Sequence, residues 1–232
     1  MTSENPQVFK PLPGRRADRS AYEAVLRDLL GLVGAEPPEA DVPGVPPSWH
    51  HRARRVVGKA VKEAAETTPE ASPDEWFEPL MRAAVHEPDP SFVRELVKPA
   101  MAAYGRRRVM HALIGHLDTG TPADIAGAAR AWYWTQVPLS IPPGADSPTP
   151  ESVAEHESYS DLRERYRDTA LRRFIAEDDL DVRRCILPGL ALDPASYPAD
   201  LHDQVTEAVR IARTSSDDYL RHRVELQTVP GE

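Results

Sequence analysis

The chain has 232 residues, one cysteine, 24 prolines and a formal net charge of −9. A single cysteine excludes an internal disulfide and a cysteine-based zinc site, and no apolar run is long enough to span a bilayer. So acidic a chain repels polyanions except where its basic residues cluster.

β-Branched runs and strand-like alternation are absent, so the expected fold class is all-α. Residues 1–18 are Pro-rich and carry Arg15 and Arg16. They read as a disordered arm, and without the apolar core of a signal peptide they leave the cytoplasm as the default compartment. An N-terminal helical region is expected over 19–86. Ser20 and Glu23 have the spacing of a capping box ahead of Val25, Leu26, Leu29, Leu30 and Val33. The stretch 34–47 holds five prolines and reads as a linker. Ser48 then caps a helix whose apolar face is Trp49, Ala53, Val56, Val57, Ala60, Val61 and Ala64. A second capping box, Ser72 and Glu75, opens a helix with Trp76, Phe77, Leu80, Met81 and Val85 inward.

Asp89 and Pro90 read as N-cap and first turn of the next helix. Phe92, Val93, Leu96, Val97, Ala100, Met101 and Tyr104 make its stripe, Pro99 bends it, and Gly105 ends it. A second stripe, Val109, Met110, Leu113, Ile114 and Leu117, follows at once, so the two helices are expected to be an antiparallel pair. Thr121 and Pro122 open a helix running to about Gln136. The Pro-rich stretch 137–150 is an insertion of the kind usually functional or disordered. A charged helix reaches about Glu177, with a break near Ser158. Helices follow at 201–213 and 217–227, and the last residues, 228–232, read as a flexible end.

The segment around Val93 returns around Val182. Both have Val-Arg, and both have a proline six residues after the valine (Pro99, Pro188). The offset, 182 − 93 = 89 residues, is about two helix-pair repeats. The steps resemble the HEAT repeat family over roughly 89–136 and 178–227. They depart from it after Tyr104, where Gly105 and Arg106 stand in place of a common aspartate. The resemblance implies HEAT-like helical repeats over 87–227, an α-α superhelix that usually binds other macromolecules.

Several residues could carry chemistry. Cys185 aligns with Leu96 and reads as a buried apolar position rather than a nucleophile. His111 and His116 point about 140° apart on a helix, and His50 and His51 also diverge, so neither pair holds a metal. Arg106, Arg107 and Arg108 open a helix, where the dipole disfavours cations. Either nearby carboxylates such as Glu95 pair with them or they form an exposed anion-binding cluster. His51, Arg52, Arg55, Lys59 and Lys62 make a basic stripe that could track phosphates or be a solvated face paired with Glu63 and Glu66. Trp134 points away from the inward stripe of its helix, and is either covered by the 137–150 stretch or an exposed interface anchor. No glycine-rich phosphate loop, nucleophile elbow or kinase signature is present. The expectation is a non-catalytic scaffold or adaptor with no cofactor or metal and no membrane association. It would bind a protein or peptide through Arg106, Arg107, Arg108 and Trp134. A nucleic-acid-associated protein using the basic clusters is the second reading, and an enzyme with a non-motif site the third.

Overall fold

Polar side chains cap the starts of several helices, two of them just before a proline. Thr121 caps one by accepting from the Asp124 N–H, while the Asp124 carboxylate takes the Thr121 N–H and Pro122 fills the first turn. Thr149 and Pro150 repeat the device. Asp179 caps a third helix through the Val182 N–H. The computed structural model describes residues 19–40, 48–67, 73–144 and 146–228. The expected arm at 1–18, residues 41–47 of the linker, Ser72 of the second capping box and residues 229–232 lie outside the described residues.

Among the described residues the regular structure is entirely helical. The α-helices are α1 (Arg19–Leu32), α2 (Trp49–Thr67), α3 (Phe77–His86), α4 (Arg94–Tyr104), α5 (Arg106–Thr119), α6 (Pro122–Trp132), α7 (Pro150–Glu157), α8 (Ser160–Ala176), α9 (Leu180–Ile186), α10 (His202–Thr214) and α11 (Asp218–Thr228). Short 3-10 turns precede α3, extend α6 and α9, and lead into α10. No described helix is long and apolar enough to cross a membrane.

The helices pack as two files. In one, α1 lies on α3, α3 on α6, α6 on α9 and α9 on α11. In the other, α2 lies on α4, α4 on α5, α5 on α8 and α8 on α10. Contacts between α1 and α2, α3 and α4, α5 and α6, α8 and α9, and α10 and α11 join the files. The apolar stripes meet between them: Leu26, Leu80, Met81, Leu96, Leu113, Ile114, Leu117 and Phe174 have no exposed surface. Each such side chain contributes about 1.5–3 kcal/mol relative to an exposed position.

Two glycines set the closest approaches. A Cβ on Gly58 of α2 would lie 2.4 Å from the Glu95 carbonyl oxygen of α4. That is the carbonyl Pro99, lacking an N–H, leaves without its helical donor. A Cβ on Gly127 of α6 would lie 1.9 Å from the Val85 carbonyl oxygen of α3.

The coordinates revise the helical pair expected around Gly105. Asp89 and Pro90 do not start α4. The Asp89 carboxylate takes the Ser91 N–H, its carbonyl takes the Phe92 N–H, and the helix begins at Arg94. Gly105, at φ 80°, is the single residue between α4 and α5, and both belong to the same file. The connected pair is therefore side by side within a file, not across the two. Val93 and Val182 are both buried but lie in different files, the first with α2 and α5 as neighbours and the second with α6 and α11. Their prolines differ as well. Pro99 sits inside α4. Pro188, followed by Gly189, closes α9 into a 3-10 turn. The 89-residue echo thus marks a local pattern, not a structurally equivalent site.

Candidate functional site

Each arginine of the trio that opens α5 bonds within the chain. Arg106 donates to the Thr135 and Gln136 carbonyls, reaching the latter at 3.2 Å. Arg107 makes a forked pair with Asp161 at 2.7 and 3.1 Å and also donates to the Ser158 carbonyl. Arg108 reaches Asp74 at 2.6 Å and lies 4.1 Å over the Phe77 ring. The Arg108 hydrogen bond holds the Asp74 carboxyl below the usual carboxylate range. Thus Arg107 and Arg108 keep exposed guanidiniums that are tied to the starts of α8 and α3. The carboxylate named from sequence, Glu95, is not their partner.

Glu95 belongs to a buried cluster that sequence reading missed. Arg54 of α2, with no exposed surface, donates from Nε to Glu95 Oε2 at 2.7 Å and from Nη1 to Glu87 Oε2 at 2.7 Å. Its Nη2 stands 3.0 Å from His51 Nδ1, and its guanidinium covers the Phe92 ring at 4.3 Å. Glu87 also accepts from the Tyr22 hydroxyl of α1 and, at 3.0 Å, from the Asp89 N–H. Burial alone would lower the Arg54 pKa. The Glu95 hydrogen bond and the Glu87 charge outweigh it and hold the guanidinium above its ordinary value. Burial, with Glu87 alongside, pushes the Tyr22 phenol far up. Every described group in the cluster has a partner, so it clamps α1, α2, α4 and the α3–α4 connection together. It fits a structural lock better than a reactive centre.

Trp134 follows the end of α6 in a 3-10 turn, and the changed pitch turns it out of the helical phase assumed from sequence. Its indole N–H donates to the Pro90 carbonyl at 3.3 Å, and Arg94 lies 5.8 Å over its ring. Its cover thus comes from the α3–α4 connection and the first residue of α4. The exposed aromatic at this point is its neighbour Tyr133, 71% accessible.

The basic stripe of α2 divides. His51 and Arg52 bond near the helix start, Arg52 to the Glu39 carbonyl at 2.8 Å. Arg55, Lys59 and Lys62 instead line a groove of about 620 Å³ together with Arg94 and Lys98 of α4. Gly58, Pro99 and Ala102 also line it, and its single acidic lining residue is Glu95, already held by Arg54. Lys59 meets Glu63 at 3.5 Å and Lys62 meets Glu66 at 3.6 Å, with all four side chains at least 60% exposed. Such pairs hold their cations loosely. Arg55 and Lys98 are exposed. The spacing within α2 was visible in sequence. The α4 half was not, because nothing local says that α2 packs on α4.

Among the described residues no group of three or more His, Cys, Asp or Glu side chains could hold a metal ion. Cys185 is half-buried rather than fully inward. No family model, no curated protein and no solved structure matches the chain.

Proposed function

We propose that the chain is a non-catalytic adaptor, an α-α superhelix of HEAT-like helix pairs, that holds an acidic segment of a partner protein in the groove between α2 and α4. The two files of helices support the architectural part of this reading. The observation that carries the functional part is the convergence of Arg55, Lys59, Lys62, Arg94 and Lys98 on one groove of a chain whose net charge is −9.

On each helix the cations recur at about one helical turn, roughly 5–6 Å. Carboxylates at one-turn spacing on a partner helix have the same period. The Gly58, Pro99 and Ala102 surface between them has room for an apolar side chain of that partner. From Arg55 to Lys62 the row is only about 10 Å long, room for a few phosphates of a nucleic acid. Beyond it, the acidic remainder of the molecule would repel a longer polyanion. A short acidic peptide suits the surface better than a duplex does.

The test is fluorescence anisotropy at low salt with three labelled probes: an amphipathic peptide with glutamates at one-turn spacing, a thymidine 20-mer and a random 20-base-pair duplex. The expected result is saturable peptide binding that weakens with added salt and falls about tenfold or more in the Lys59→Glu, Lys98→Glu variant. Binding of the nucleic acids alone would transfer the groove to the second reading. No binding by any probe would remove the groove as a partner site.

A further inference from the structure

One short helix stands off from both files. α7 has no buried residue and packs closely against no other described helix. One face of it is held. The Ser152 hydroxyl oxygen accepts the Ser140 N–H at 3.2 Å, and His156 Nδ1 lies 3.1 Å from the Val137 carbonyl oxygen. At about 100° per residue, Glu151, Ala154 and Glu155 fall on the opposite face, and all three are exposed. Glu151 and Glu155 are one turn apart, and neither forms an ion pair with a described residue.

The α2–α4 groove carries the opposite charge at the same period. Arg55 and Lys98, on its two walls, have no carboxylate partner among the described residues. Lys59 and Lys62 hold theirs loosely, at 3.5 and 3.6 Å on exposed side chains. Arg55 and Lys59 are separated by about 6 Å along the helix axis, and so are Glu151 and Glu155. The eight residues of α7 span about 12 Å, close to the length of the α2 row of cations. Ala154, between the two glutamates, is small enough to approach the uncharged floor of Gly58, Pro99 and Ala102. α7 does not line the groove of its own chain.

We propose that the acidic segment held in the groove is α7 of a second copy of this chain. The inference rests on the reading of the groove as a site for an acidic helix, and it names the partner. Glu151 and Glu155 meet the cations of the walls, and Ala154 faces the floor. Groove and α7 are different surfaces, so the contact is head-to-tail and either closes into a ring or continues into a chain. Its area is small, which makes the association weak and reversible. The net charge of −9 opposes it at long range. At about 0.1 M salt, charges more than about 10 Å apart are screened, whereas facing pairs still attract.

Sedimentation equilibrium of the full chain over a wide range of concentration tests the proposal. At about 0.1 M salt the average mass should rise above that of the monomer with concentration, and at about 1 M salt it should fall back. The Lys59→Glu, Lys98→Glu variant and the Glu151→Lys, Glu155→Lys variant should each weaken self-association about tenfold or more, because each sets like charges face to face. Circular dichroism checks that both remain helical. Mixed together, the two variants should pair with each other, since the native α7 of the first fits the native groove of the second. Glu75→Lys, Glu78→Lys, which reverses two exposed carboxylates at the start of α3, should leave the association unchanged. A monomer at every concentration, association that survives Glu151→Lys, Glu155→Lys, or mixed variants that stay apart would each overturn the proposal. A monomeric chain that still binds the labelled glutamate peptide leaves the adaptor reading standing. Loss of peptide binding as well removes both.

Discussion

Arg54 and Arg107 are both paired with carboxylates, yet their environments give the pairs different weight. Arg54 is fully buried between Glu87 and Glu95, whereas Arg107 and Asp161 are each about half exposed. Replacing Arg54 by Met strands the Glu87 charge without compensation, and removing one partner of a buried pair costs about 3–5 kcal/mol. Urea unfolding of Arg54→Met should show a loss of that size. Arg107→Ala should leave the midpoint near that of the parent, since water already screens the pair. Equal losses in the two variants would mean that the exposed fork does more than its geometry implies. Sequence reading gives Arg54 no role: the apolar face it draws for this helix runs through Val56, Ala60 and Ala64, and the basic stripe passes from Arg52 to Arg55. The helix in fact buries His50, Arg54 and Gly58 beside Val57 and Val61. Gly58 was the available sign, because a glycine inside an otherwise regular helix often marks close approach by another backbone.

Helices are where the sequence was most legible. The Thr121 cap, the break near Ser158 and the two C-terminal helices follow from capping chemistry and apolar period, which are local properties. Their assignment to files is not local. Nothing in the α4 stripe distinguishes α5 as a neighbour in the same file from α5 as a partner across the core, and the shared Val-Arg step suggested the wrong equivalence. Glycine substitutions separate local from packed effects. In an open helix Gly→Ala gains up to about 1 kcal/mol. Gly31 and Gly115 lie in helices where an added Cβ meets no atom within 4 Å, so Gly31→Ala and Gly115→Ala should raise the melting temperature. Gly58→Ala and Gly127→Ala would push a methyl into the Glu95 and Val85 carbonyl oxygens. Each should lower stability by about 1–3 kcal/mol as α2 shifts on α4 and α6 on α3. A gain at Gly127 would contradict the packing of α6 on α3.

At the scale of the molecule, the basic groove exists because residues far apart in the chain share a surface. Three of its cations were visible as one helical row, and the two on α4 became part of it only through folding. The same contact bears on domain organisation. Sequence composition suggested an N-terminal helical region ending at residue 86 and repeats from 87 onward. Across that division α2 packs on α4 and α3 on α6, and the Arg54 cluster ties α2 to Glu87 and Glu95. Stacked repeats can unfold piecemeal when the interfaces between them are weak. Here the interface carries buried charge as well as apolar surface, so opening it early would expose Arg54 together with Leu96 and Val97. Two single-tryptophan variants test this. One retains Trp49 in α2 and the other Trp132 in α6, both buried, with the remaining tryptophans changed to Phe. Their urea transitions should share one midpoint and coincide with loss of helicity measured by circular dichroism. If Trp49 reports an earlier transition than Trp132, the first two helices form a separable unit, and the groove that spans α2 and α4 would open before the rest of the molecule unfolds.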